Sequence, residues 1–266
     1  MKFKQLSLVL VASMILVGCN HKIKNNEKNI NEVLQFNQTY HYDLDQDNKK
    51  DTITIKHDDN KTILSINGKN AKYLYPYKDV EARLIGLGSG TKMIALTLKE
   101  GTYTGVSEIY SLLDGGLHRA ISSANYQIGS GYFKDIRVKG NKIAVEMYIK
   151  DPHLDVISVP MTFNYNGTSF KRQSQFSTIN YITNPQTTHH IANTSLIANK
   201  GIPGLNKDDK LANEISFKIV ANQDVIVKRI YITDHAAYYE LEDGGKIGYL
   251  RSEMTLKPYF KDIHIS

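Results

Sequence analysis

Asp51-Thr52-Ile53-Thr54-Ile55-Lys56 and Lys61-Thr62-Ile63-Leu64-Ser65-Ile66 decide the fold class. Polar and apolar residues alternate in both, the two-residue period of a strand with one buried face. Asp58-Asp59-Asn60 between them is turn chemistry. The same texture continues outward. Lys92 to Lys99 and Glu108 to Leu113 are β-branched or aliphatic runs. Ile136-Arg137-Val138 and Lys142 to Ile149 flank Gly140-Asn141, a hairpin signal. Val159 to Tyr165 and Ser169 to Lys171 flank Asn166-Gly167, the strongest such signal in the chain. Periodicity of 3.6 residues appears nowhere over a useful length, which leaves at most a short helix near Ile30 to Phe36. The sequence predicts an all-β protein.

A composition break falls between Ser177 and Asn193, where Asn184-Pro185-Gln186-Thr187-Thr188 lacks apolar periodicity and reads as a linker. Strand candidates follow at Glu214 to Val220, Asp224 to Ile232, Ala237 to Glu242 and Lys246 to Leu250, with Asp243-Gly244-Gly245 as a tight turn. The run Tyr238 to Leu250 resembles the end of bacterial SH3-like domains, in which an aromatic strand, an acidic-glycine turn and a glycine-aromatic-aliphatic strand occur in sequence. Tyr249 stands where that family usually has Trp. The expected organisation is a larger antiparallel sheet or sandwich-like domain over 39–178, a linker over 179–192, and a small SH3-like barrel over 193–266.

Cys19 is the only cysteine, and it ends Leu16-Val17-Gly18-Cys19. Lys2 and Lys4 precede an apolar run, Leu6 to Val17, too short to cross a bilayer as a stable helix. The arrangement resembles the lipobox of bacterial lipoproteins. The resemblance implies a signal peptide over 1–18, an acylated Cys19 and anchorage on the outer face of the cytoplasmic membrane or in an outer membrane. Residues 19–38 are rich in Asn, Lys and Glu and read as a solvated tether. Loss of Lys2 and Lys4 with the signal lowers the formal charge from +6 to +4. That mild basicity suits anionic lipids or wall polymers, and no Arg-rich, aromatic-interleaved run points to nucleic acid. With its one cysteine committed to the anchor, the chain relies on core burial and not on disulfides.

The loop Asp43-Leu44-Asp45-Gln46-Asp47-Asn48-Lys49-Lys50-Asp51 carries carboxylates at its first, third, fifth and ninth positions. Asn48 takes the sixth, where a sharp turn needs positive φ. The loop resembles the calcium loops of EF-hand-like and FG-GAP repeat proteins. The resemblance implies side-chain oxygens from Asp43, Asp45, Asp47 and Asp51, and the backbone carbonyl of Lys49. Thr54 occupies the twelfth position in place of Glu and a strand follows, so the expectation is a structural calcium clip in a β-hairpin.

Other features carry less chemistry. Gly86-Leu87-Gly88-Ser89-Gly90 precedes a strand, so it reads as a loop and not as a phosphate cradle. His189-His190 reads as a solvated pair, and no nucleophile elbow marks a Ser-His-Asp site. Tyr73, Tyr75 and Tyr77 share one face if extended; with Tyr249 they are the candidate ligand contacts, weighed against simple packing. The whole arrangement resembles surface lipoproteins of Gram-positive bacteria. It implies a non-enzymatic binding or scaffold module engaging cell-wall polymer or another envelope protein. The alternatives are an envelope glycan or peptide hydrolase and, more weakly, a solute-binding transporter component.

Overall fold

The computed structural model describes residues 30–58, 61–73, 77–126, 130–182, 189–205, 210–233, 236–253 and 258–261. Cys19, the signal segment, Tyr75 and Asn184 to Thr188 lie outside the described residues. The protein is all-β, and every pairing among the described strands is antiparallel.

The N-terminal strands are β1 (Asn31–Leu34), β2 (Thr39–Tyr42), β3 (Asp51–Asp58), β4 (Lys61–Ile66) and β5 (Lys69–Tyr73). A meander follows: β6 (Asp79–Gly86), β7 (Lys92–Lys99), β8 (Gly105–Leu113) and β9 (Gly116–Ser122). Strands β2 to β5 form one four-stranded sheet, and β1 joins the edge of the meander to give the order β1-β6-β7-β8-β9. The short helix considered near Ile30 to Phe36 is instead this edge strand, which seats Leu34 in the core by pairing with Ala82.

Ile53 and Ile55 of β3 and Leu64 and Ile66 of β4 are fully buried, as their alternation predicts. They pack on Ala82, Leu84, Ile94, Leu96 and Leu98 of the meander. The meander's other face is also covered. Ile85, Met93, Ala95 and Ile109 belong to a second apolar cluster. Along β7, successive residues therefore serve two different cores, and each fully buried aliphatic side chain contributes about 1.5–3 kcal/mol.

The second cluster is built with β10 (Ser130–Lys139), β11 (Lys142–Asp151), β12 (Asp155–Tyr165) and β13 (Phe170–Arg172), the two hairpins expected at Gly140-Asn141 and Asn166-Gly167. It continues into the C-terminal sheet. There, β14 (Phe176–Thr178), β15 (Asn180–Tyr181), β16 (His189–Ile191), β17 (Leu196–Asn199), β18 (Ile215–Ile219), β19 (Asp224–Ile232), β20 (Ala237–Asp243) and β21 (Lys246–Ser252) follow in the chain. The order is β14-β19-β20-β21-β17-β18, with β16 also on β19 and β15 on β12.

Two expectations change here. The stretch 179–192 is not a bare linker, because β15 and β16 within it pair with β12 and β19. A self-contained SH3-like barrel over 193–266 gives way to a sheet that recruits β14 and β16 from upstream and shares the core of β10 to β12. Buried polar bonds join the same parts: the Tyr239 hydroxyl donates to Asp151, and the Tyr259 N–H donates to Nδ1 of His153 at 3.1 Å.

The glycine-rich loop after β6 has a packing role. The Gly88 N–H donates to the Gly140 carbonyl at 2.9 Å, and a Cβ on Gly88 would lie 2.9 Å from the Gly140 Cα. The loop and the β10–β11 turn thus meet at a spacing that admits no side chain.

Candidate functional site

Between β2 and β3 the acidic loop makes two left-handed turns, with Gln46 at φ 66° and the expected Asn48 at φ 65°. These turns fold the loop back so that oxygens of Asp43, Asp45 and Asp51 lie within 4.8 Å of one another. Oxygens sharing one calcium ion at bond lengths of about 2.3–2.6 Å lie no more than about 5 Å apart, a limit the trio meets. Asp51 is held by the Leu44 N–H at 2.8 Å and by the Asn67 amide at 2.7 Å. The Asp43 Oδ2 accepts from the Asn48 N–H, whereas its Oδ1 is buried and has no hydrogen-bond partner. An orphaned carboxylate oxygen beside two other carboxylates fits a hard divalent cation. Asp47 stands apart from the trio, accepting from the Lys49 N–H at 2.7 Å and facing the Lys49 ammonium at 3.5 Å. Thr54 lies in β3, paired with Thr39.

A second constellation forms where β5 and β9 approach each other as the end strands of their sheets. Glu108 on β8 is 5 % exposed. Its Oε2 accepts from the hydroxyls of Tyr73 on β5 and Tyr110 on β8, the latter at 2.6 Å. Its Oε1 accepts from Nη1 of Arg119 at 2.8 Å. Spacing of two places Glu108 and Tyr110 on the face toward β2 to β5, and register places Arg119 opposite Tyr110. Burial opposes the charge on Glu108, but the hydroxyls of Tyr110 and Tyr73 and the Arg119 guanidinium outweigh it and hold the pKa below the usual range. Burial and the bond to Glu108 push the Tyr73 and Tyr110 hydroxyls well above theirs. The site therefore keeps an ionised carboxylate and two protonated phenols near neutral pH.

From this network a cleft of about 620 Å³ opens outward between the two strands, lined by Lys69, Asn70, Ala71, Tyr110, Leu117 and Arg119. Of the tyrosines singled out in the sequence, Tyr73 belongs to the network, while Tyr77 packs against the first core. Tyr249 is half-buried on the far sheet, with its hydroxyl 3.4 Å from Glu240 and its ring beside Phe176. Sequence reading missed Glu108, Tyr110 and Arg119. The available signal was one carboxylate within the apolar run Val106 to Leu113, because a charge in a strand covered on both faces requires partners.

The two adjacent histidines separate. His189 is exposed and faces Asp224 at 3.0 Å, whereas His190 is buried and meets the Tyr181 hydroxyl at 2.9 Å. The expected solvated pair is thus half core, because β16 turns one residue in and the next out. Comparison of the chain with protein-family models, with curated proteins and with solved structures gave no match.

Proposed function

We propose that this chain is an extracytoplasmic lipoprotein, tethered to the cell membrane through acylated Cys19, whose folded part is a non-enzymatic binding or scaffold module at the cell envelope. The observation that carries the binding reading is the cleft between β5 and β9. General acid–base chemistry works best with a group that titrates near the operating pH. Tyr110, which lines the cleft, and Glu108 and Tyr73, bonded behind it, are instead shifted away from neutrality, the carboxylate downward and the phenols upward. Such groups fix donors and acceptors in place, which serves recognition. The partners in view are cell-wall polymer or another envelope protein.

Retention of the protein on purified envelope material, together with absence of product release from wall fragments, is the expected result. Release of glycan or peptide fragments overturns the reading in favour of a hydrolase. The Cys19→Ala variant leaves the membrane fraction; if it stays there, the anchor assignment is wrong.

The acidic loop belongs to the same proposal as a structural calcium site on Asp43, Asp45 and Asp51. Calcium that binds only the folded state stabilises it by roughly 2.7 kcal/mol at a hundredfold excess over Kd. Melting should rise by about 5–10 °C between EDTA and millimolar calcium, and Asp45→Ala should remove that increment. Identical melting curves in the two conditions exclude the calcium site.

A further inference from the structure

We infer that the β5–β9 cleft takes an anionic group, the phosphate or carboxylate of a hydroxyl-bearing ligand, with Arg119 as its principal contact and Lys69 as the second; this rests on reading the chain as a binding module. Arg119 is oriented from behind. One of its N–H groups is taken by Glu108, and Glu108 is itself fixed by the two tyrosine hydroxyls. The Glu108 side chain is 6 % exposed and the Arg119 side chain 55 %. The ion pair therefore presents its cationic half to the cleft and hides its anionic half. A guanidinium is a planar fork of five donors, and the edge not used by Glu108 matches the paired oxygens of a carboxylate or phosphate.

The surroundings favour the same ligand. None of the described residues lining the cleft is acidic. Glu108 and Arg119 offset each other, and Lys69, which has no ion-pair partner among the described residues, leaves the site net positive. Asn70 offers an amide that both donates and accepts, as hydroxyl groups require. Leu117 and Ala71 supply an apolar wall. The cleft, of about 620 Å³, is open on its outer side, so a polymer can lie across it with one unit against Arg119.

The test is calorimetric titration of the full chain in detergent with glycerol 3-phosphate and with glucuronate, using glycerol and glucose as neutral controls. The two anions distinguish a phosphate-bearing from a carboxylate-bearing source. We expect at least one anion to bind and both neutral compounds to fail. Arg119→Gln should weaken binding by roughly tenfold or more, and Lys69→Gln by a smaller factor. Raising salt from about 0.05 M to about 0.5 M should weaken it further. Lys69 makes no side-chain bond among the described residues, so Lys69→Gln remains informative if Arg119→Gln melts early. Neutral compounds binding as tightly as anions, unchanged affinity in both variants, or no binding by any probe would each overturn the inference. Retention of wild type and Arg119→Gln alike on envelope material removes the cleft's role and leaves the module reading standing. Loss of wild-type retention while the anions still bind removes the module reading and leaves the anion site.

Discussion

Glu108 is held by Tyr73, Tyr110, Arg119 and Ser122 in a place nearly closed to water, so its charge is part of the fold as well as of the cleft. Glu108→Gln keeps the shape but removes the charge that orients Arg119 and the two phenols. It should lower stability by about 1.5–3 kcal/mol, read as a lower urea midpoint at pH 7. Because its folded pKa is depressed, the stabilisation from Glu108 is present above its ordinary value of 4.5 and is lost as pH falls below it. The variant should therefore lose less stability than wild type on going to pH 3. His190 and Asp151 make a second test, with opposing signs. Burial pushes His190 down to about 4 from 6.5, so its contribution is lost as pH falls between those values. Burial pushes Asp151 up to about 6 from 3.8, against its bonds from Tyr239, His153 and Leu154, so its contribution is lost as pH rises through that window. Each is on the order of 3 kcal/mol, and together they flatten the profile between about pH 4 and 6, where the two windows overlap. Asp151→Asn should expose the histidine, giving a protein that weakens steadily on acidification over that range. The same flat profile in both proteins contradicts the assignment. The sequence announced none of these partners, since which side chains face each other depends on register and on a bulge such as that between Ile109 and Tyr110.

Hairpins were the legible elements. The alternation in β3 and β4, the Gly140-Asn141 turn and the Asn166-Gly167 turn each impose a local geometry that needs no distant contact. Elements defined by distant contacts were not legible. The strand β1 exists because β6 offers it an edge, and β15 and β16 exist because β12 and β19 do. Their own residues carry too little apolar alternation to specify a strand, so 179–192 read as linker. The loop of Gly86 to Gly90 lies between these cases, since its glycines were visible but their purpose was not. Gly88→Ala should force the loop off the β10–β11 turn, where the Gly88 N–H meets the Gly140 carbonyl and the Ser89 N–H meets Asn141. A backbone shift of that kind costs about 1–3 kcal/mol, measurable as a lower melting temperature, whereas Ser89→Ala should leave melting nearly unchanged. Equal effects from the two substitutions would show that the loop tolerates a Cβ at Gly88.

For the molecule as a whole, layer assembly decides what can stand alone. The C-terminal sheet needs β14 and β16 on β19, and its Val227, Ile230, Tyr239 and Leu241 share a core with Met147, Ile157 and Val159. Residues 193–266 made by themselves should therefore lack the dispersed amide spectrum of a folded domain and should bind a dye for exposed apolar surface; a cooperative melt from that fragment would restore the independent barrel. The sequence disclosed the class of this fold but not the sharing of cores, because an apolar residue is written the same way whichever layer covers it. The meander of β6 to β9 makes the consequence concrete. Its strands pair with near neighbours in the chain and so can form early, yet Ile94 and Leu96 face one core while Met93 and Ala95 face the other. Until both covering layers arrive, such a sheet is adhesive on its two sides. A chain emerging from its N-terminus delivers β2 to β5 before the meander and β10 to β21 after it, so one side is shielded before the other. The second side marks the interval in which this protein is most prone to aggregate or to require a chaperone.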